Sequence, residues 1–413
     1  MINNYVMDMI CTKCGKSFNE QALIFRCHEC NAPLEIIYDY DKLSHIINKT
    51  FFTNRTNTLW RYFELLPLKN KANIISLNEG WTPLHKSENL SRYLKINTLY
   101  LKDESRNPTG SFKDRGTTVG ISKAVELDVT TVGCASTGNM AASTAAYAAK
   151  AGKKCIILIT NKTPIEKVIQ ILIYNPLVFS VDLPYPELYT IIYKLAKNYG
   201  IYIVQSDTAQ RVEGQKTIAY EICEQLQWSV PDVVIVPTSS GGNISAIWKG
   251  FKEFLNLGLI KKLPRMICVQ SEGCAPIVKA YKEHASSTEL WRNPNTIAHS
   301  ISNPDPRLAS SERTLKLLKE SHGYAIAVSD NDILHAQKIL ALKEGIFAEP
   351  ASAAPIAAIP HLLEKGVIEK DDKIVCIITG TGLKDIKSSK RNINRPIEIK
   401  DRKQLYHFIE TLT

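Results

Sequence analysis

A lysine set among small residues is the position in this sequence best suited to covalent chemistry. Lys113 follows Gly110 and Ser111 in the stretch 107–116, at the predicted start of a helix. Small residues allow the backbone to approach a ligand closely, and a helix N-terminus lowers the pKa of a nearby amine. A lysine with a lowered pKa is what a Schiff base requires. The alternative is an ordinary surface lysine at the start of a helix.

Three further polar turns each follow a predicted strand. Ser136 and Thr137 precede an alanine-rich helix, where hydroxyls and helix amides suit a substrate carboxylate; the alternative role is N-capping. The turn 237–243 is small enough to wrap a phosphate with backbone N–H groups, although it matches neither the P-loop nor the GxGxxG pattern; a tight strand-to-helix turn is its alternative. The turn 379–385 follows the last predicted strand.

Four cysteines near the N-terminus have the spacing of a metal site. Cys11, Cys14, Cys27 and Cys30 form the pattern CxxC-x12-CxxC, and turn residues follow each pair. Two thiolate pairs on tight turns suit tetrahedral zinc, so residues 1–40 are predicted to form a small zinc ribbon. A ribbon that keeps its cysteines but binds no metal is one alternative, and a catalytic CxxC redox pair is another.

The elements that would position these residues alternate from about residue 95. Apolar runs of strand length are separated by helical patterns such as 139–151, 214–226, 243–256 and 330–344. Continuous apolar strands indicate mostly parallel sheets, and repeated β-α-β units indicate the α/β class, here with two open sheets. Open α/β sheets bind ligands at the carboxyl ends of their strands, where the four turns lie. The predicted strands are 98–102, 130–134, 154–159, 177–181, 201–205, 232–237, 266–270, 324–328 and 373–379.

Composition limits the class of protein and of partner. The 413 residues are 44% hydrophobic and 22% charged, which excludes collagen-like, disordered and coiled-coil proteins. Ten cysteines are too few for a disulfide scaffold, and no secretory signal or long apolar run is visible, so we expect a cytoplasmic protein. The net charge of +10 allows nucleic acid, anionic lipid or a small anionic ligand. The basic run 384–395 is expected to be a solvated surface.

Taken in order, these motifs resemble those of the fold-type II family of pyridoxal-phosphate enzymes and, within it, the threonine synthases. The resemblance covers nearly the whole chain and implies two open, mostly parallel sheets wrapped by helices, similar to the tryptophan synthase β fold. It divides the chain into the ribbon 1–40, a large cofactor-binding domain of 41–110 and 211–413, and a small domain of 111–210. Besides the cysteines, the motifs that carry it lie at 79–83, 102–114, 135–139, 211–217, 243–250, 347–354 and 380–385.

The resemblance implies roles for individual residues. Lys113 corresponds to the lysine that holds pyridoxal 5′-phosphate, Asn139 to the residue that hydrogen-bonds the cofactor's 3′ oxygen, and Thr379 to the hydroxyl near the pyridine nitrogen. Ser136 and Thr137 correspond to the substrate-carboxylate loop. The residues that correspond to the cofactor-phosphate loop are Ser239, Ser240, Gly241, Gly242 and Asn243. Candidates for the substrate phosphate, each of which could instead be an ion-pair partner, are Lys167, Arg211 and Lys216.

The implied reaction forms L-threonine and phosphate from O-phospho-L-homoserine and water, with Lys113 as base and acid. The stretch 296–304 lacks an arginine of the family pattern, and Met140 stands where a threonine is common. The substrate therefore stays open, with a β-replacement or β-elimination enzyme for phosphoserine, serine or threonine, resembling cysteate synthase or a dehydratase, as the alternative. An inactive cofactor-binding relative is a further one.

Partners follow from the same reasoning. The resemblance implies a homodimer that acts on a small phosphorylated amino acid. A nucleic-acid-binding protein that uses the zinc ribbon is a remote alternative, because the ribbon segment is not basic and lacks interleaved aromatic and basic residues. No amphipathic or polybasic segment indicates a membrane.

Overall fold

The computed structural model describes residues 2–161, 163, 165–390 and 396–411, with side chains for all of these except Glu166, Lys167 and Leu308. Its strands are β1 (Val6–Cys11), β2 (Ser17–Phe18), β3 (Leu34–Tyr38), β4 (Leu84–Lys86), β5 (Thr98–Asp103), β6 (Thr131–Ala135), β7 (Lys154–Thr160), β8 (Leu177–Val181), β9 (Tyr202–Ile203), β10 (Val233–Pro237), β11 (Arg265–Ser271), β12 (Tyr324–Val328) and β13 (Lys373–Ile378).

The helices alternate with these strands through most of the chain. They are α1 (Tyr40–Ile46), α2 (Glu88–Leu94), α3 (Lys113–Glu126), α4 (Asn139–Lys150), α5 (Ile165–Leu172), α6 (Tyr185–Tyr199), α7 (Ala209–Gln225), α8 (Gly242–Asn256), α9 (Pro276–Lys282), α10 (Ser311–Glu320), α11 (Asp330–Glu344), α12 (Pro350–Glu364), α13 (Ile386–Ser389) and α14 (Arg402–Glu410). Short 3-10 turns lie at Leu59–Leu65, Lys71–Asn73, Glu104–Arg106, His299–Ile301, Pro306–Leu308 and Gly382–Asp385.

The strands predicted from the sequence all form, and they separate into two sheets. One sheet has the order β12-β11-β10-β13-β5-β4 and is parallel except for the β4–β5 pair at its edge. The other has the order β8-β7-β6-β9 and is parallel throughout its recorded pairs. The α/β class with two open, mostly parallel sheets is therefore confirmed. The unpredicted β4 has three residues, too few to produce a periodic pattern.

The larger sheet is apolar on both faces because helices cover both. Val234 and Val236 of β10 pack into the core that includes side chains of α7 and α8. Val233 and Ile235, the alternate residues, pack into the core that includes side chains of α11 and α12. Alternation of side chains between the two faces of a strand thus explains why β10 reads as one continuous apolar run.

The ribbon is a separate antiparallel sheet with the order β2-β1-β3, docked onto the helices of the larger sheet. Lys249 of α8 donates from Nζ to the Ile36 carbonyl oxygen at 2.7 Å, and Arg313 of α10 donates to the Leu34 carbonyl oxygen at 3.0 Å. Tyr38 is buried at this contact. The ribbon is consequently part of the body of the protein, with its last strand fixed by side chains of helices that cover the larger sheet.

Helix α7 begins at Ala209, five residues before the predicted start at Gly214. The glycine lies inside the helix because α7 crosses α3 there: a Cβ at Gly214 would lie 1.9 Å from the Arg115 carbonyl oxygen. Close helix packing, and not a helix boundary, therefore explains this glycine. None of the described helices combines the length and hydropathy that crossing a bilayer requires.

Candidate active site

A cleft of about 2120 Å³ opens where the four polar turns meet. The turns follow β5, β6, β10 and β13, so they come from both sheets. Parallel strands place their carboxyl ends at one edge, which brings together motifs that are up to about 270 residues apart along the chain. The predicted cofactor and carboxylate residues that line the cleft are Lys113, Ser136, Thr137, Asn139, Ser239, Ser240, Gly241, Gly242, Asn243 and Thr379.

Two loops joined by backbone hydrogen bonds hold Lys113 at the cleft. The Phe112 N–H donates to the Thr379 carbonyl oxygen at 3.0 Å, and the Thr381 N–H donates to the Gly110 carbonyl oxygen at 3.0 Å. Gly110 has a φ of +82°, and a Cβ there would lie 2.8 Å from Cγ2 of Thr381. Glycine is needed both for the backbone conformation and for the close approach, so this residue places the lysine beside the end of β13.

The amine of Lys113 has a near-neutral pKa. Burial and the neighbouring Arg211 guanidinium lower the pKa of Lys113 to about 7, and Glu349 opposes the change. Among the described residues, no carboxylate lies within ion-pair distance of this amine, whose recorded neighbour is the Phe112 ring at 4.4 Å. The lowered pKa agrees with the sequence prediction, although burial causes it rather than the helix terminus. Such an amine can accept and return a proton at neutral pH.

The turn after β10 has the features of a phosphate site. It leads into the first turn of α8, a 15-residue helix, and Gly241 has a φ of +89°. Both amide atoms of Asn243 and the hydroxyls of Ser245 and Ser310 are buried without a hydrogen-bond partner among the described residues. Buried polar groups are normally paired. These atoms therefore indicate a polar ligand at the positive end of the helix dipole.

The stretch 296–304, which departs from the family pattern, lies against this turn. Asn303 donates from Nδ2 to the Ser240 hydroxyl at 2.7 Å, and the Ser310 N–H donates to the Ser240 carbonyl oxygen at 3.1 Å. Ser300 donates to Oε2 of Glu349 at 2.9 Å. The altered segment thus supports the predicted phosphate turn as well as lining the pocket.

Asn139 and Thr379 are both held by residues that sequence reasoning did not select. Nδ2 of Asn139 donates to the two carboxylate oxygens of Glu349 at 3.0 and 3.2 Å. The Thr379 hydroxyl lies 2.8 Å from the Ser352 hydroxyl. Burial raises the pKa of Glu349, against the influence of Lys384 and the hydrogen-bond donors around it. Glu349 and Ser352 both belong to the motif 347–354. The sequence therefore identified the segment but gave no role to either residue.

The three cations predicted for the substrate phosphate fall in different places. Arg211 is fully buried beside Lys113, outside the cleft lining, and forms no ion pair with the described residues. Lys216 does not lie at the cleft: its amine is 2.5 Å from Glu213 and 2.9 Å from Glu253 in a buried cluster. Lys167 is part of α5, but its side chain lies outside the described residues.

A different lysine, Lys384, faces the cleft. Its amine donates to Oε1 of Gln170 at 2.7 Å, and burial lowers its pKa, against the influence of Glu349 and Asp114. Lys387 and Lys390 also line the cleft, but both are exposed, so the expectation of a solvated surface is wrong for Lys384 and right for these two; residues 391–395 lie outside the described residues. Lys384 was expected at the surface because its position beside the end of β13 is a tertiary property.

The four cysteines of the ribbon converge. Their sulfur atoms all lie within 4.8 Å of one another, with Sγ of Cys11 and Cys30 3.3 Å apart and Sγ of Cys14 and Cys27 3.5 Å apart. The N–H groups of Lys13 and Cys14 point at Sγ of Cys11, both at 3.4 Å. Four converging sulfurs with backbone donors are the ligand set that tetrahedral zinc uses.

Comparison with known proteins agrees with this geometry. Residues 75–380 match the family model described as pyridoxal-phosphate dependent enzyme. The chain is 48% identical over 390 residues to a threonine synthase of Methanocaldococcus jannaschii, covering 94% of this chain and 96% of the relative. It is 42% identical to a threonine synthase of Methanosarcina acetivorans, covering 91% of each. Its fold is similar to that of diaminopropionate ammonia lyase from Escherichia coli, with a TM-score of 0.65, 16% identity, and 95% and 97% of the two chains covered.

Proposed function

This chain belongs to the threonine synthase family of pyridoxal-phosphate dependent enzymes, and from that premise we propose that it converts O-phospho-L-homoserine and water to L-threonine and phosphate. One observation carries the proposal: a single cleft contains both a lysine with a near-neutral pKa and a turn of unpartnered polar atoms suited to phosphate. The reaction breaks a carbon–oxygen bond to phosphate, so the protein is a lyase.

Pyridoxal phosphate fits the residues of the cleft. The Asn243 amide and the Ser310 hydroxyl would hold its phosphate, because these side-chain groups have no partner among the described residues, together with the first amides of α8, which a helix leaves without intrahelical acceptors. Lys113 would hold its aldehyde carbon, and Asn139 and Thr379 would contact its ring. When bound, the cofactor supplies a sink for the electron pair that remains after the substrate loses its α-proton. A neutral hydroxyl at Thr379 favours elimination and replacement over transamination.

Lys113 moves the protons of the reaction. With a pKa of about 7, its amine removes the proton at the α-carbon of the substrate and later returns one there. Burial, with a contribution from the Arg211 guanidinium, lowers the pKa of this amine and so keeps a large fraction of it neutral. Glu349 holds Asn139 through two hydrogen bonds and so orients the amide towards the cleft.

Two sets of side chains would bind the substrate's negative groups. The hydroxyls of Ser136 and Thr137, at the start of α4, suit the amino acid's carboxylate. Lys384 suits the phosphate, because the hydrogen-bond acceptor given for its half-buried ammonium among the described residues is the uncharged Gln170 amide. A phosphate would add an opposite charge, which makes the contact stronger than one to a neutral acceptor. Lys167 stays a candidate for the same group, whereas Lys216 is already neutralised by two carboxylates.

Turnover of O-phospho-L-homoserine tests the proposal. The purified, cofactor-loaded enzyme is incubated with this substrate, and phosphate and threonine are measured in parallel. We expect equal amounts of both. Phosphoserine with a thiol or sulfite nucleophile, and serine or threonine alone, are the comparison substrates. Turnover of one of these without threonine formation from phosphohomoserine would contradict the proposal and identify the alternative reaction class.

The ribbon is proposed to bind one structural zinc ion through Cys11, Cys14, Cys27 and Cys30. The support is the convergence of their sulfur atoms within 4.8 Å and the N–H donors that stabilise thiolates. Metal analysis of the purified protein should give one zinc per chain, and Cys11→Ser with Cys14→Ser should lose it. A metal-free native protein of normal stability would support the ribbon without metal instead.

The homodimer and the cytoplasmic location remain proposals. All ten cysteines are free thiols in this structure, which favours a reducing compartment. The family resemblance favours two copies of the chain per enzyme molecule. Sedimentation analysis should give twice the chain mass of 46.3 kDa, and a monomer that retains full activity would reject the dimer.

A further inference from the structure

Asp207, in the segment between β9 and α7, is a buried carboxylate held by two other parts of the chain. From α6, Tyr189 and Tyr193 donate their hydroxyl groups to Oδ1 of Asp207. From the ribbon, Arg26 forms an ion pair with Oδ2, and its guanidinium lies 5.1 Å from the centroid of the Tyr193 ring. Arg26 immediately precedes Cys27, so the ion pair joins the cysteine site to the interior of the enzyme.

The segment that contains Asp207 also touches both anion-binding turns of the cleft. The Gln205 side chain exchanges two hydrogen bonds of 3.3 Å with the backbone of Ala135, just before the carboxylate turn. Ser206 lines the cleft, and its carbonyl oxygen would lie 3.0 Å from a Cβ placed at Gly242 in the phosphate turn. A shift of this segment would therefore displace both turns.

The charge balance at Asp207 depends on the ribbon. Arg26 is the cation that the described residues place in ion-pair contact with this carboxylate; the Asp207 side chain is fully buried, and that of Arg26 is 13% exposed. A buried carboxylate that loses its cation is strongly destabilised, so without Arg26 the segment would rearrange to bring Asp207 towards water.

We propose that Arg26 is a positioning residue: through Asp207, the ribbon sets the relative position of the two anion-binding turns and hence the affinity of the cleft for cofactor and substrate. A zinc ion held by the four cysteines would act in the same direction, because it would order the turn that carries Arg26. The inference rests on the proposed function only in that the cleft binds pyridoxal phosphate and an anionic amino acid, and it does not depend on which amino acid is used.

Four variants of the full chain test this role. Arg26→Gln removes the charge, Arg26→Lys keeps it without the planar fork, and Tyr193→Phe removes one hydroxyl donor to Asp207. Lys16→Gln is the matched control, since Lys16 also belongs to the ribbon but pairs with Glu29 at the surface. For each variant, zinc content, melting temperature, the dissociation constant of pyridoxal phosphate from absorbance titration of the apoprotein, and KM and kcat are measured.

We expect Arg26→Gln to retain zinc and to raise the cofactor dissociation constant and KM on the order of 10-fold, since misplacement of binding groups costs affinity. Arg26→Lys should recover part of the loss, Tyr193→Phe should show a smaller one, and Lys16→Gln should match the wild type. Removal of zinc from the wild type by a chelator should raise the cofactor dissociation constant and KM to the values of Arg26→Gln. The same treatment of Arg26→Gln should not raise them further.

A cofactor dissociation constant and a KM for Arg26→Gln within twofold of those for Lys16→Gln would overturn the inference. This holds even if the melting temperature falls, because the contact between Arg26 and Asp207 would then only stabilise the fold. If Arg26→Gln does not fold, wild-type constants in both Arg26→Lys and Tyr193→Phe would overturn it equally. A wild type that binds the cofactor but does not turn over phosphohomoserine contradicts the proposed function, while the cofactor constants still decide the inference.

Discussion

Two buried arginines on packed helices differ in their carboxylate partners. We call the surroundings of Arg115, whose charge is paired with carboxylates, the satisfied region, and those of Arg211, which has no ion-pair partner among the described residues, the unsatisfied region. Arg115 of α3 donates to Glu104 at 2.6 Å and to Glu221 at 2.5 Å. Arg211 of α7 is equally buried, yet its hydrogen bonds are two contacts of 3.4 Å, and its Nε has no partner among the described residues. Burial lowers the pKa of Arg211 to about 10, whereas the two carboxylates raise that of Arg115 despite burial.

The presence or absence of a carboxylate partner separates the buried charges that stabilise this fold from those available to a ligand. Around Arg115, Lys102 also pairs with Glu221 at 2.7 Å, so the cluster is internally neutralised. Around Arg211 and Lys113, the described residues place no carboxylate in ion-pair contact, and polar side-chain atoms of the neighbouring phosphate turn lack partners among them. Native proteins rarely leave buried charge uncompensated. We therefore expect the cleft beside these two residues to bind anions.

The largest expected effect is the loss of chemistry without loss of fold. Lys113→Ala should lower turnover by about 10⁴-fold or more, as removal of a central catalytic group does. It should also abolish the absorbance band that borohydride reduction eliminates. The urea midpoint should stay at or above that of the wild type, because the variant removes a buried amine to which no described carboxylate lies within ion-pair distance. A urea midpoint of Lys113→Ala far below that of the wild type would show that Lys113 stabilises the fold, as Arg115 is expected to do, and would contradict the distinction between the two regions.

The two arginines themselves give the next effect. Arg115→Met should destabilise the fold by about 3–5 kcal/mol, because it leaves two buried carboxylates with one cation fewer. Arg211→Met should leave the stability unchanged or raise it, and should lower kcat/KM. Urea unfolding measures the free energy of unfolding of both variants, and steady-state kinetics measure kcat/KM of Arg211→Met. Equal destabilisation of both variants would break the distinction between the regions.

A smaller effect is expected at the rim of the cleft. Lys384→Gln should raise KM for the phosphorylated substrate by roughly 10- to 100-fold, the value of a hydrogen bond to a charged group, and should leave cofactor absorbance unchanged. Lys338→Gln is the control, because it removes the same charge from an exposed position of α11. Similar KM values for the two variants would show that net charge, and not a contact of Lys384, attracts the substrate.

The smallest effect is a shift in pH dependence. Capture of pyridoxal phosphate by the apoprotein needs the neutral amine of Lys113, so its rate should rise with pH around the pKa of about 7 and then level off. Arg211→Met removes a neighbouring positive charge. Because this removal stabilises the protonated amine of Lys113, the midpoint should move to higher pH. At pH 7 capture should slow several-fold, as followed by stopped-flow absorbance. An unchanged midpoint would show that burial alone sets the pKa.

Much of the fold could be predicted because it depends on local patterns. Runs such as that of β10 are buried on both faces and stand out in any reading of hydropathy, and the four turns follow directly from strand ends. The short antiparallel β4 has no such pattern. The boundary of α7 was missed because Gly214 reads as a helix terminus in sequence and is in fact a helix–helix contact with Arg115.

Part of the candidate site escaped prediction because charge pairing is not a local property. Lys216 and Arg211 occupy one motif and look equivalent in the sequence. The structure neutralises Lys216 through Glu253, 37 residues away, whereas none of the described carboxylates is in ion-pair contact with Arg211. Lys384 was assigned to a solvated run, yet it is half-buried at the cleft because the loop after β13 folds over the Lys113 loop.

The class of fold, the candidate lysine, the polar turns and the cysteine spacing could be identified from the sequence, because each of these depends on residues that are close together along the chain. The folded structure was needed to show which buried cations lack a described carboxylate partner, that Glu349 holds Asn139, and that Arg26 of the ribbon reaches Asp207. The physical reason is that the free energy of a buried charge depends on its partners, and in this fold those partners come from distant segments.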